Sequence, residues 1–357
     1  MTPSETSSRP ILRTALIVLA VLAAGLLLWT LRNVVILIFG AIVLAVILRV
    51  IANPLKRRLG IPERMALLLA ILLVTGGLAL AFWLFGQEVA SQAEMLRETI
   101  PAAWQSLMGR LDALGIAEPL QQWLRSAGGS TGSVVAGLRG VMVSVTSAVA
   151  DAVLLIVGGI YLAANPDLYR RGLIKLVPKH FRPKLDQALQ DCWIALRLWL
   201  IGRLTTMVIV GILTGAGLWL LGMPAALTLG IAAGVLDFVP FVGPIVAAVP
   251  AILLALATSP TMALWVIGFY ILIQQIEGNV VTPLIQQRMV QLPPALLLFA
   301  LVAFGLLFGV IGVLLAEPLT VVLYVLVKRL YVRGYLQTET PIPGEVAQES
   351  DAEGGRP

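Results

Sequence analysis

Two acidic residues lie next to helix-breaking residues inside strongly apolar segments, and this feature most constrains what the chain can form. Asp237 and Glu277 stand in the segment 236–292. The breakers beside them are Pro240, Gly243 and Pro244 after Asp237, and Gly278 and Pro283 after Glu277. A carboxylate within a bilayer costs several kcal/mol unless it faces protein or water. An interrupted helix at that depth is tolerated only where protein or a water-filled cavity provides hydrogen bonds for its free backbone N–H and C=O groups. Two interrupted segments in one chain therefore indicate a transport site.

The composition fits a membrane protein. Hydrophobic residues make up 59% of the 357 residues, charged residues 12%, and the mean hydropathy is +0.95. Such a chain cannot cover its surface with polar groups in water, so we predict a polytopic all-α membrane protein. Cys192 is the single cysteine, which excludes an intrachain disulfide. The net charge of +6 comes from Lys and Arg in short loops between apolar segments, so we expect no nucleic-acid partner.

The apolar segments predict about eight membrane spans, with broken or re-entrant helices and an external helical arm. We place the spans at 11–31, 34–52, 65–86, 140–164, 200–222, 261–282, 294–310 and 311–333. The remaining apolar segment, 225–258, is interrupted at Asp237–Pro244, and each half has only about 14 residues, too short to cross roughly 30 Å. It forms either a re-entrant hairpin or two short spans, and we favour the hairpin.

The distribution of Lys and Arg predicts the orientation. Basic residues concentrate after the second span, after the fourth span and at the C-terminal end, and basic loops stay in the cytoplasm. Eight crossings then place both termini in the cytoplasm. The first apolar run is long, lacks a clear small-residue cleavage site and is followed at once by a second span, so we expect no cleavable signal peptide.

The chain divides into five parts. Residues 1–86 hold three spans, 87–139 form an external amphipathic arm, and 140–199 combine the fourth span with a basic amphipathic segment. Residues 200–336 form a transport core with the hairpin 225–258 and a broken helix at 261–292. The tail 337–357 is polar, contains several Pro and Gly, and is expected to be disordered. The apolar stripe of the arm needs cover from another helix, a neighbouring subunit or lipid.

Three long motifs resemble the autoinducer-2 exporter-like family of bacterial permeases. They are GMPAALTLGIAAGVLDFVPFVGPIVAAVPA, IEGNVVTPLI and LPPALLLFALVAFGLLFGVIGVLLAEPL. The resemblance covers about residues 10–335 and is strongest over 195–335. It implies an oligomeric inner-membrane transporter. It also implies export of a signal molecule or sodium/proton antiport, since both are associated with the family.

Asp237, Glu277 and Glu317 are the main candidate site residues. Each has a structural alternative: Asp237 could cap the helix that begins near Phe241, and Glu277 could mark an interfacial helix end. Glu317, next to the helix-kinking Pro318, could be a buried acid paired with Arg203. We expect Asp151 and Arg203 to be structural, as a buried pair or interfacial groups. The remaining candidates for substrate or ion binding are Pro240, Gly243, Pro244, Gln274, Asn279 and Thr282.

Other functional classes are disfavoured. The single histidine, His180, cannot supply the two zinc ligands of an HExxH protease, and it lies in a basic loop, away from any serine nucleophile in the bilayer. No Walker A motif is present. We therefore predict a secondary transporter, not an enzyme, with no cofactor and no bound metal. We expect it to export a small polar or amphiphilic molecule, with H⁺ or Na⁺ as the candidate coupling ions, as a homo-oligomer in the lipid bilayer. The alternative is a non-transporting oligomeric scaffold that docks partners through the arm and the basic loop.

Overall fold

The computed structural model describes residues 29–77, 151–286 and 292–342, together with a few isolated positions between 19 and 83. Over these ranges the chain forms helices and connecting turns without a strand, which confirms the all-α class. We number the helices α1 (Arg32–Leu59), α2 (63–77), α3 (Asp151–Ala164), α4 (Pro166–Lys175), α5 (Arg182–Leu220), α6 (Ala226–Leu236), α7 (Val242–Thr258), α8 (Pro260–Ile276) and α9 (Pro294–Leu326). The predicted first span and external arm lie outside the described residues.

By length and composition, four helical stretches in the described ranges could cross a bilayer: Arg32–Leu59, Arg182–Leu220, Pro260–Ile285 and Pro294–Arg333, the last of which is bent at Gly309. A fifth candidate joins α3 to α4 through a bend of 91°. The structure thus supports a multi-pass membrane protein, and the predicted number of eight spans stays a prediction.

Helices α5 and α6 pack antiparallel through a pair of glycine motifs. Gly211 and Gly215 on α5 face Gly230 and Gly234 on α6, so that a Cβ atom on Gly230 would lie 2.5 Å from the Cα of Gly215. Small residues at this spacing let two helix backbones approach closely within a membrane. The antiparallel register brings the middle of α5 next to the end of α6, and this places Arg203 beside residues 237–238.

The predicted interruption of 225–258 is present. Helix α6 ends at Leu236, residues 237–241 form a non-helical turn, and α7 begins at Val242. Phe241 has a φ of +63°, a rare conformation for a residue with a side chain. The two helices have 11 and 17 residues, roughly 16 and 25 Å, and both are shorter than the hydrocarbon core of a bilayer. A re-entrant path therefore remains our prediction.

The predicted break of 261–292 at Glu277 is wrong. The chain stays helical from Pro260 to Gln286, and residues Glu277–Val281 form a π-helical turn. Pro283 lacks the N–H that an α-helix needs at that point, and a local widening of the helix accommodates the missing hydrogen bond. The π-helical turn thus accommodates Pro283 without interrupting the helix.

Helix α9 folds back on itself at Gly309, which has φ +64° and ψ −144°. A Cβ atom on Gly312 would overlap the carbonyl oxygen of Phe304, eight residues earlier, whereas a straight helix separates such residues by about 12 Å. Residues 296–304 and 320–327 line a common groove of about 450 Å³, as expected for two antiparallel arms. The turn lies next to the predicted boundary between spans at 310–311.

The segment 337–342, which we predicted to be disordered, packs against the helices. Ile342 is 1% exposed and belongs to the core cluster formed by α1, α5 and α9. Arg333 Nε donates to the Thr340 carbonyl at 2.7 Å, and Lys328 Nζ donates to the Pro341 carbonyl at 3.0 Å. Although the segment is polar in composition, the buried side chain of Ile342 and the carbonyls of Thr340 and Pro341 hold it against the helices.

Candidate functional site

Arg203 lies at the centre of the candidate site. It stands on α5, its side chain is 10% exposed, and its Nε donates a hydrogen bond to the Phe238 carbonyl at 3.3 Å. Its Nη2 lies 3.6 Å from Oδ1 of Asp237, and its Nε lies 4.0 Å from Oε2 of Glu317. One guanidinium therefore links the end of α6 with the second arm of α9.

Asp237 is the first residue after α6, and its side chain is 1% exposed. Neither of its carboxylate oxygens accepts a hydrogen bond from any described residue. The alternative role as a helix cap does not hold, because Phe241 is the N-cap residue of α7 and this helix start has no side-chain cap. Burial of a carboxylate that has only a distant ion pair and no hydrogen bond lowers the stability of the fold. Local structure therefore does not explain why an acid stands at position 237.

Glu277 and Glu317 complete the group. Glu277 is buried in the π-turn, where its Oε2 accepts from Gln274 Nε2 at 3.4 Å. The positive charge of Arg203 acts on both glutamates as well as on Asp237. We call Arg203, Asp237, Glu277 and Glu317 the acid–arginine cluster. Its formal charge with all groups ionised is −2, from three carboxylates and one guanidinium.

Aromatic side chains border the cluster. The rings of Trp199 and Phe238 meet edge to face with centroids 6.0 Å apart, and Trp199 is 6% exposed. The indole N–H of Trp199 faces Glu317 without a hydrogen bond of good geometry. These rings exclude water from one side of the charges, which strengthens the electrostatic interactions among them.

The remaining predicted site residues divide into two groups. Pro240, Gly243 and Pro244 lie in or next to the turn that follows Asp237, and a Cβ atom on Gly243 would overlap the Leu236 carbonyl oxygen. Gly243 is thus required for the close return of α7 onto α6.

By contrast, Asn279 is exposed and donates to the Gln275 carbonyl and side-chain oxygens on its own helix, both at 3.0 Å. No polar contact between described residues joins Asn279 or Thr282 to the cluster. Asp151 is the first described residue of α3, and in the described ranges its side chain forms no ion pair with Arg203.

Sequence reasoning underrated Arg203 and did not consider Trp199. The available signal was an arginine within a long apolar helix, which by default indicates a functional site. Within the described residues, no group of three His, Cys, Asp or Glu side chains lies close enough together to hold a metal ion. Two of the three carboxylates, those of Asp237 and Glu317, lie within 4.0 Å of Arg203.

The fold and this site define a class: a multi-pass helical membrane protein with buried charges at a helix break and at a π-turn. The chain belongs to the AI-2E family of transporters, because the model of that family matches residues 16–331.

Curated relatives agree with this assignment. YrrI of Bacillus subtilis (strain 168), named for a proposed role in transport, is 28% identical over 280 residues, which cover 75% of this chain and 78% of YrrI. YueF of the same organism, named in the same way, is 25% identical and covers 79% of this chain and 81% of its own length. The AI-2 transport protein TqsA of Escherichia coli K12 is 24% identical over 78% of this chain and 82% of its own length.

Proposed function

We propose that this transporter is a secondary exporter of a small polar or amphiphilic molecule and that the acid–arginine cluster couples export to an ion gradient. The carrying observation is the excess of carboxylates over guanidinium at a buried position. Two uncompensated negative charges in such surroundings call for bound cations or protons. The resemblance of the chain to TqsA, whose name refers to AI-2, makes a signal-like molecule the first substrate to test.

The geometry supports protons as the coupling ions. Asp237 and Glu317 approach Arg203 from different elements, at 3.6 and 4.0 Å, so a proton on one acid leaves the other paired with Arg203. Arg203 is held by the Phe238 carbonyl, to which its Nε donates a hydrogen bond. Protonation of Asp237 would weaken its attraction to Arg203 and free the turn at 237–241 to move relative to α5. In this proposal the turn responds to the proton, and the substrate binds between that turn and the π-turn of α8.

The test is flux in proteoliposomes under imposed pH and sodium gradients, with a substrate panel that includes AI-2. Asp237→Asn and Glu277→Gln keep the shape of each side chain and remove its charge. We expect at least one variant to abolish gradient-driven accumulation while downhill exchange persists. Glu339→Gln is the matched control, because this acid is exposed and lies outside the cluster. Wild-type accumulation by both cluster variants would exclude them as coupling groups and leave Glu317→Gln as the next variant to test.

Orientation and assembly complete the proposal. We place both termini in the cytoplasm of a bacterial inner membrane, on the basis of the basic loops, and infer a homo-oligomer held together by the arm at 87–139. Deletion of residues 90–125 should lower the oligomer mass in detergent. An unchanged mass would assign the subunit contacts to another part of the chain.

A further inference from the structure

Helix α4 runs nearly perpendicular to α3. The bend between the two helices is 91° and falls at Asn165–Pro166. The carbonyls of Ala163 and Ala164 at the end of α3 accept hydrogen bonds from Arg49, at 2.6 and 3.3 Å. The sides of α3 expose large apolar residues, among them Leu154 (64%) and Tyr161 (61%), as expected for a helix that faces lipid. Because α3 is the described part of the predicted span 140–164, we expect a helix perpendicular to it at its polar end to lie along the plane of the membrane.

The two sides of α4 have different surroundings. On the inner side, Ile174 is half-buried and Arg170 forms an ion pair with Asp186 of α5 at 2.7 Å. On the outer side, four apolar side chains are exposed and have no cover from described residues: Leu168, Tyr169, Leu173 and Leu176 at the end of the helix. Leu176 is 82% exposed. An apolar face at this place in a membrane protein fits the acyl-chain boundary of a bilayer.

Basic residues flank this apolar face. Arg171 and Lys175 are exposed, lie four residues apart and are therefore neighbours on the helix surface. Neither side chain forms an ion pair with a described residue, although Arg170 nearby does. Like charges four residues apart repel each other, and the one acid of α4, Asp167, offsets only one of the two. Arg171 also lines an open cleft of about 550 Å³ between α4 and the start of α5, where three arginines face two aspartates.

We propose that α4 is an interfacial helix that binds anionic phospholipids. Its apolar face enters the bilayer, and Arg171 and Lys175 hold the phosphate of a headgroup such as that of phosphatidylglycerol. The occupant is the bilayer because α3, which directly precedes α4, also exposes large apolar side chains and because the charged border of the face is basic, as in lipid-surface helices. This inference does not depend on the transported substrate or on ion coupling.

Binding of labelled lipid to the full chain in detergent tests the charge recognition. We expect fluorescent phosphatidylglycerol to bind more tightly than phosphatidylcholine, and Arg171→Gln/Lys175→Gln to weaken phosphatidylglycerol binding roughly tenfold. Phosphatidylcholine binding should not change. The matched control is Arg57→Gln/Arg58→Gln, which removes two exposed charges at the same end of the bundle, away from α4. An equal loss in the control, or no loss in the α4 variant, would overturn the proposal.

A spin label at position 176 tests the depth of the helix. The label is attached to Leu176→Cys in a Cys192→Ala background, in liposomes that contain phosphatidylglycerol. We expect collisions with oxygen to exceed those with a water-soluble nickel chelate, as in acyl chains. The reverse order would place the face in water, and protection from both reagents would indicate cover by protein, including a second copy of the chain. Either result would contradict insertion in the bilayer.

Discussion

Nη2 of Arg203 and Oδ1 of Asp237 lie 3.6 Å apart, at the place where α6 ends and the chain turns into α7. This distance allows Coulomb attraction but no direct hydrogen bond of good geometry. Both groups are nearly inaccessible, with side-chain exposures of 10% and 1%. The ion pair is thus long although both groups are deeply buried. Protonation of Asp237 would remove the attraction and allow the two groups to separate.

Removal of the guanidinium should destabilise the protein. Arg203→Gln leaves three carboxylates without their shared counter-ion, and breaking a buried ion pair in this way costs about 3–5 kcal/mol. We expect a clear fall in the thermal unfolding midpoint in detergent at pH 7. Arg203→Gln/Asp237→Asn should recover part of the loss, because one of the three orphaned charges is gone. Additive effects of the two substitutions would show that the residues do not interact.

Local chemistry made much of the fold predictable. Composition indicated a helical membrane protein, and Pro240, Gly243 and Pro244 predicted the break between α6 and α7 because their effect on the backbone is local. The change of direction at Gly309 lay next to a predicted boundary between spans. In each of these cases the cause lies within a few residues of the effect.

The acid–arginine cluster could be predicted only in part. Asp237, Glu277 and Glu317 stand out because each is a carboxylate in apolar sequence. The central position of Arg203 depends on the register of α5 against α6, which the facing glycines 211, 215, 230 and 234 set across the helix pair. Likewise, Ile342 became part of the core through contacts with distant helices. A single sequence carries no local sign of such contacts.

The acid Glu63 should make stability depend on pH. It pairs with Arg49 at 2.6 Å and Lys56 at 2.9 Å, and its hydrogen bonds with Lys56 and Arg49 lower its pKa below the ordinary value of 4.5. A lowered pKa in the folded state means that the stabilisation is present above pH 4.5 and is lost as the pH falls through the folded-state pKa. Because Glu63 is half exposed, the contribution is below about 1 kcal/mol.

Unfolding midpoints of wild type and Glu63→Gln check this prediction. We expect wild type to be more stable by about 1–2 °C at pH 7 and the difference to shrink as the pH falls below 4.5. Arg49 and Lys56 are present in both proteins, so the change in the difference reports on the carboxylate. A difference that stays constant between pH 7 and pH 3.5 would contradict the assignment.

The packed segment 337–342 should contribute to stability through Ile342. Ile342→Ala removes a side chain that is 1% exposed, and such truncations cost about 2–5 kcal/mol. Leu336→Ala is the matched control, because Leu336 lies directly before this segment but is 50% exposed. We expect a large fall in the unfolding midpoint for the first variant and little change for the second. Equal effects would show that Ile342 is not anchored in the core.

Two glycine substitutions, one in the close contact between α5 and α6 and one at an open position on α8, should have opposite effects on stability. In Gly230→Ala the new methyl group would lie 2.5 Å from the Gly215 Cα and 2.8 Å from the Gly211 carbonyl oxygen, so the helices must separate. Overpacking of this kind costs about 1–3 kcal/mol. In Gly268→Ala the methyl group meets nothing within 4 Å, and the gain in helix propensity should stabilise α8 by about 0.5–1 kcal/mol.

Thermal unfolding of the two variants in the same detergent measures the contrast, and flux in proteoliposomes extends it to function. Separation of α5 from α6 would also move Arg203 away from Asp237, since the glycine contact sets their register. We therefore expect Gly230→Ala to lose gradient-driven transport together with stability, whereas Gly268→Ala keeps both. If Gly230→Ala were as stable as wild type, the helices would have room for a methyl group at this crossing. The acid–arginine cluster would then depend on some contact other than the glycine pair.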